Sequence, residues 1–241
     1  MGSGIQESEE VEQRLNPFTR KVDLLKLLSS LVPQSNNVSL FEDNEGCSVL
    51  NIGLYSTLTL PTRHAFGPSF ADEFSVLLQL RSSQNVDRSV LTILDFYNQV
   101  TLQIRLSPSG FTFITAHQQG YEFLVSGLSD SQWHWVSVGV SLEYLAVYVN
   151  CVLVEKVRWT FPYLGIPTDG LLMLGGILQG FETPFEGDIR QMMFIMGDGR
   201  AAKNQCSLHQ PVCGASVDSW SSKTSHNKQV QKNRATFDCH V

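Results

Sequence analysis

The segment Val100-Thr-Leu-Gln-Ile-Arg-Leu106 decides the fold class. Val100, Leu102, Ile104 and Leu106 fall on one parity, and Thr101, Gln103 and Arg105 on the other. Side chains of a strand alternate between two faces, so this is a strand with one face in a core and one turned away. Ser107-Pro-Ser-Gly110 follows as a turn, and Phe111-Thr-Phe-Ile-Thr115 opens the next strand. Outward from this pair the same period recurs. Phe74, Val76, Leu78 and Leu80 alternate, Val90–Leu94 suits a strand buried on both faces, Trp133–Val140 pairs with Leu145–Val149, and Phe185–Ile195 is the last strong strand. Turns recur about every 10 residues, the signature of an all-β sandwich or barrel. One helix is expected, Val22–Leu31, with Leu24, Leu25, Leu28 and Leu31 at helical spacing, stopped by Pro33 and Ser35-Asn-Asn37. No second helix and no internal repeat is evident.

Composition agrees. The 241 residues are 42% hydrophobic, enough for a core, and only 17% charged, against about 25% in ordinary soluble chains. Eighteen glycines cannot supply every third position, so the chain holds no collagen helix. No apolar run reaches the roughly 18 residues of a membrane-spanning helix. The net charge of −6 argues against nucleic acid, whose binding needs clustered Lys and Arg. Residues 1–18 read as a tag scar (Met1-Gly-Ser-Gly4) and a flexible acidic arm. Residues 215–241, with Lys223, Lys228, Lys232 and Arg234, read as a polar linker, with a polyanion-binding tail as the sharper alternative.

The cysteines Cys47, Cys151, Cys206, Cys213 and Cys239 form no CxxC pair and no zinc spacing with His. Spacing alone leaves two readings open: an oxidised extracellular domain with two disulfides, and a cytosolic chain with free cysteines. No G-x-S-x-G, H-E-x-x-H or phosphate loop occurs.

Several features occur in a definite order. Asp130-Ser-Gln-Trp-His-Trp135 leads through a hairpin to Val149-Asn-Cys151; Phe185-Glu-Gly-Asp-Ile189 follows, then Asp198-Gly-Arg-Ala-Ala202 and Cys206…Cys213. Together they resemble the thrombospondin N-terminal-like domain over residues 19–214, closest to the amino-propeptide domain of type V/XI-like collagens. Asp23-Leu-Leu25 is similar to the opening of that family. The resemblance implies an antiparallel jelly-roll sandwich, concanavalin/laminin-G-like, with one short N-terminal helix. It implies the disulfides Cys47–Cys213 and Cys151–Cys206, with Cys239 left over. It also implies a secreted, non-catalytic module of the extracellular matrix, oligomerising through regions outside this chain. Its partners would be matrix proteins, cell-surface receptors or glycans; a ligand- or receptor-binding module of a signalling or adhesion protein is the alternative. Trp135 departs from the family, which commonly has a basic or polar residue there.

Binding candidates follow. Arg63, Arg81, Arg88, Arg105, Lys156 and Arg158 are the candidate polyanion contacts for a glycosaminoglycan, although the acidic balance weakens that role. Asn37-Val-Ser39 is an N-glycosylation sequon. Some laminin-G domains hold Ca²⁺, and Asp72, Asp87, Asp95, Asp169 and Asp188 have suitable oxygens. None forms a dense acidic loop, so no metal ligand or cofactor is assigned. Jelly-roll glucanases carry E-x-D-x-x-E, whereas this chain has Glu186-Gly-Asp-Ile-Arg-Gln191. Gln cannot ionise and so cannot be the acid/base. Glu186 and Asp188 read as a solvent-facing edge. Trp133, Trp135, Phe181 and Phe185 read as core or half-buried sheet residues.

Overall fold

The computed structural model describes residues 19–116, 119–159, 165–175, 183–210 and 213. Its elements are β1 (Arg20–Asp23), α1 (Leu24–Ser29), β2 (Val38–Glu42), β3 (Ser48–Ile52), β4 (Leu58–Pro61), α2 (Thr62–Phe66), β5 (Phe74–Arg81), β6 (Arg88–Leu94), β7 (Val100–Ser107) and β8 (Gly110–Thr115). They continue with β9 (Gly120–Leu124), β10 (His134–Val140), β11 (Tyr144–Val149), β12 (Val152–Arg158), β13 (Leu171–Leu174), β14 (Thr183–Pro184), β15 (Gly187–Met196) and α3 (Gln205–Leu208). They form two sheets. The larger, with eight strands, runs β12-β11-β10-β5-β15-β3-β2, with β1 also on β15. The smaller, with seven, runs β4-β13-β6-β7-β8-β9, with β14 on β6. All pairs are antiparallel except β14 with β6. This is a jelly-roll sandwich.

The alternation read from the sequence sets which way each strand faces. Leu102, Ile104 and Leu106 of β7 join the core against Val76, Leu78 and Leu80 of β5 on the facing sheet. At one end of the sandwich Phe66, Phe70, Phe74 and Phe194 close the core with ring centroids 4.6–6.0 Å apart. These are tilted, edge-on and stacked contacts that fix the rings as well as bury them.

The N-terminal region differs from the expected helix. Val22 lies in β1, opposite Phe194, because Arg20–Asp23 extends the larger sheet along the lower half of β15 while β3 takes the upper half. The helix starts only where the Asp23 carboxylate accepts the Lys26 N–H (3.0 Å), and it buries Leu24 and Leu28 one turn apart. It ends at Ser29, before a 3-10 turn at Val32–Gln34. Two further helices, α2 and α3, were not expected; at five and four residues they are too short for a helical period to register in the sequence. Asp188 also differs from expectation. It is on an interior strand, paired on both sides by β3 and β5, and not on a sheet edge.

Candidate binding face

The outer face of the larger sheet is half covered. After β15 the chain turns at Gly197 and runs back across that face as a strap, residues 198–210. Ala201 and Ala202 pack on Leu77 and Ile195, with Met193 and Tyr148 beside them. Ser75 Oγ donates to Asp198 O (2.7 Å) and accepts the Ala202 N–H (3.0 Å), and Ser137 Oγ donates to Ala202 O (2.9 Å). Gln205 is fully buried; its amide donates to Leu78 O and to Gln191 Oε1, both at 2.8 Å, and Gln191 in turn donates to His209 O. The approach is so close that a Cβ on Gly139 would stand 2.3 Å from Gly199 O. Two disulfides fasten the strap at opposite margins of the sheet. Cys206 bonds Cys151 in the β11–β12 turn, and Cys213 bonds Cys47 in the β2–β3 turn. They span 55 and 166 residues, worth about 4 and about 5 kcal/mol in the loop-entropy treatment as upper figures.

The Asp130–His134 motif serves this staple. Asp130 Oδ1 accepts the Gln132 N–H and lies 2.8 Å from His134 Nε2. Asn150 Oδ1 accepts the Trp135 N–H (3.1 Å), which orients its amide so that Nδ2 donates to His134 Nδ1 (3.3 Å). His134 Nε2 therefore carries the ring proton and donates to Asp130. That bond, with the Gln132 N–H, holds the Asp130 carboxyl below the usual range against the opposing effect of burial. The bonded Asn150 and its neighbour Cys151 both have positive φ, 48° and 64°. The motif thus holds a strained turn in the shape that presents Cys151 to Cys206.

Among the described residues, the other half of the face is open. One cross-strand row reads Ser39, Asn51, Asp188, Arg81, each opposite the next. Asp188 accepts from Asn51 Nδ2 and Arg81 Nε, both at 2.7 Å. Trp133, half-buried, stands beside the row, with the Arg81 guanidinium carbon 4.7 Å and that of Arg190 4.2 Å from its ring centroid. Cations over an indole ring are attracted by its quadrupole, so the three side chains brace one another. Arg190 is buried by the stack and by two carboxylates, Asp43 at 2.5 Å and Glu45 at 3.0 Å. Burial would raise the Asp43 carboxyl, but the Cys47 and Glu45 N–H groups and Arg190 together hold it below the ordinary range. Two cations face three carboxylates here, so the assembled row is nearly charge-balanced. It offers an aromatic edge, amide and hydroxyl groups and a carboxylate–guanidinium pair in fixed geometry.

Sequence reasoning missed Arg190, Asp43, Glu45 and Asn51. Arg190 was hidden because a β-bulge between Ile189 and Gln191 breaks the period that would have assigned its face. The Asp43-x-Glu45-x-Cys47 spacing, immediately before a disulfide, was the available signal.

The candidate basic residues do not converge. Arg63 is exposed on α2, Arg81 belongs to the open row, and Arg105 lies on the outer face of the smaller sheet, 3.9 Å from Asp87. Lys156 sits 3.6 Å above the Tyr144 ring on the β12 edge, where Arg158 is also exposed. Arg88 is a correction: it is 0% exposed and cannot touch a polyanion. Its guanidinium donates to Gln84 O, Val86 O and Leu128 O, tying two loops together, and burial pulls it down to about 10 despite Asp87. Asn37 is exposed just before β2. Trp135 is half-buried and Phe185 buried; Phe181 and Cys239 lie outside the described residues. Among the described residues no three His, Cys, Asp or Glu side chains cluster as a metal site. Gln191 lies under the strap and Asp188 is held by Arg81 and Asn51, so this strand presents no pair of free carboxylates.

No protein-family model matches the chain. Solved structures do resemble it. Domain 4 of AbnA, a GH43 extracellular arabinanase from Geobacillus stearothermophilus, in complex with arabinotriose, aligns over 70% of this chain and 81% of that one, at 17% identity and a TM-score of 0.52. The CBM40 of the Ruminococcus gnavus IT-sialidase, bound to α2,3-sialyllactose, aligns over 68% and 96%, at 13% identity and 0.52. The binding domain of botulinum neurotoxin DC, in complex with rat synaptotagmin II, aligns over 80% of this chain but only 46% of that one, at 12% identity and 0.51. The shared feature is the fold. Like these domains, this chain is an antiparallel jelly-roll sandwich. At such identities no ligand site carries across by alignment, so the open row rests on its own geometry.

Proposed function

We propose that the chain is a secreted, non-catalytic binding module of the extracellular matrix, the N-terminal domain of a collagen- or thrombospondin-like multidomain protein. It recognises matrix proteins or glycans of low charge through the open half of the larger sheet. The observation that carries this reading is the braced row Asn51–Asp188–Arg81–Trp133 beside Arg190. Hydrogen-bonding groups and an indole are held there by mutual contacts, a preorganised surface of the kind binding favours. The balanced charge of the row, and the dispersal of the remaining basic residues, weigh against a polyanion. The two disulfides support an extracellular domain. The jelly-roll domains in complex with an oligosaccharide or with synaptotagmin II support a ligand-binding role.

The test is direct binding of the full chain to purified fibrillar collagen, laminin and a panel of neutral and sialylated oligosaccharides, with a heparin column in parallel. The reading expects saturable binding to at least one of the first group and elution from heparin at or below physiological salt. No binding to any of them, or retention on heparin well above physiological salt, contradicts it.

A further inference from the structure

Among the described strands, β2, β12, β4 and β9 end the two sheets. Edge strands display unpaired N–H and C=O groups and recruit other strands unless something blocks them. Two of the four carry Lys, Arg or Pro of their own, and a third has a charge at its centre. Glu155, Lys156 and Arg158 line β12, which also has a register break against β11. Strand β4 ends in Pro61, and β9 contains Glu122 between Gly120 and its C-terminus. By contrast, β2 is Val38-Ser-Leu-Phe-Glu42, with an unbroken register against β3, no Lys, Arg or Pro, and a single charge at its last position. Leu40 is 45% and Phe41 39% exposed. What β2 has instead is the sequon, which opens one residue before the strand and runs into it.

We propose that Asn37 carries an N-linked glycan and that this glycan is the guard of the β2 edge. The inference rests on the secreted reading above and adds a modification site with a defined task. The backbone at Asn37 is fixed: Gly53 N–H and Ser56 Oγ both donate to Asn37 O, at 2.7 and 3.0 Å, and φ is 57°. The side chain is exposed, and Nδ2 donates one hydrogen to Leu54 O at 3.3 Å. In the modification Nδ2 attacks C1 of the first sugar of a lipid-pyrophosphate-linked oligosaccharide. The C1–O bond breaks, the Nδ2–C1 bond forms, the lipid pyrophosphate leaves with the electron pair, and one amide proton is lost. A strand of five residues is about 17 Å long, so a bulky, hydrated oligosaccharide rooted at its first residue obstructs an incoming strand. Without the glycan, the partner expected on the bare edge is the β2 strand of a second copy.

The experiment expresses the full chain behind a cleavable signal peptide in secreting eukaryotic cells. Peptide mapping reads Asn37 occupancy, and sedimentation over a concentration series reads self-association. The proposal expects Asn37 to be occupied and the wild type to be monomeric. Asn37→Gln is expected to self-associate at least about tenfold more tightly, as is Ser39→Ala, which removes the sequon but keeps the Asn37 bond to Leu54 O. Adding Leu40→Lys to either variant is expected to restore the monomer. An unmodified Asn37, aglycosyl variants that stay monomeric, or self-association that Leu40→Lys does not relieve would each overturn the proposal. Neither readout uses a ligand, so failure of the binding test leaves this result standing, and failure here leaves that test standing.

Discussion

The two halves of the larger sheet's outer face share strands β5 and β15 and do opposite things. Under the strap, polar side chains serve the protein itself: Ser75, Ser137 and Gln191 bond the crossing segment, its Gln205 bonds back to the sheet, and Leu77 and Ile195 pack on it. At the open end, Ser39, Asn51, Asp188, Arg81 and Trp133 form a row with no segment laid across it among the described residues. The same strand β15 supplies Gln191 to the first region and Asp188 to the second. A strand face is thus committed by what crosses it: a disulfide-fastened segment makes it interior, and its absence leaves it available to a partner.

That contrast can be broken at the staple. Replacing Cys47 and Cys213 together by Ser is expected to lower unfolding free energy by up to about 5 kcal/mol, and Cys151 with Cys206 by up to about 4 kcal/mol. Denaturant titration of the secreted protein measures both; changes below 1 kcal/mol would show that the strap holds without them. A smaller loss is expected where strap and sheet touch. Gly139→Ala places a methyl against Gly199 O, and the displaced strap should cost about 1–3 kcal/mol. The same substitution at Gly127, where a Cβ meets nothing within 4 Å, has only its positive φ of 90° to pay for.

The smallest effect concerns acid. Burial, and then Lys21, push the His209 imidazole below its ordinary value, against the pull of Asp198. The unfolded chain therefore takes up a proton at this site at higher pH than the folded one. The stabilisation is fully present above about pH 6.5 and is lost as pH falls through the folded value. Hydrogen exchange of strap amides should quicken relative to the core below that pH in the wild type, and His209→Gln should remove the difference. Equal quickening in the variant would assign the effect elsewhere.

Much of this was legible in the sequence, for physical reasons. The alternation of Val100–Leu106 and Phe74–Leu80 is a direct consequence of two-faced strands, so the sandwich could be read from it. The strap could have been read too: Leu77 and Ile195 stand at outward positions, and apolar residues there announce a cover. Three features lay beyond a period. Val22 looked helical because it precedes Leu24 and Leu28, and only its pairing with Phe194 makes it a strand. Arg88 looked like a surface cation because its partners are backbone carbonyls, which no residue type announces, and one of them, Leu128 O, lies 40 residues away. Arg190 reaches Trp133 only through a bulge.

The central claim is that the covered half holds the fold and the open half meets the ligand. It is tested most directly by measuring, on one matrix ligand bound by the wild type, the affinity of Trp133→Ala beside that of Arg105→Ala and Arg158→Ala, with denaturant stability for each. The account predicts that Trp133→Ala loses at least about tenfold in affinity, as removal of an aromatic anchor does, while the two arginine variants bind as the wild type does and all three remain folded. Unchanged affinity in a folded Trp133→Ala protein would contradict it.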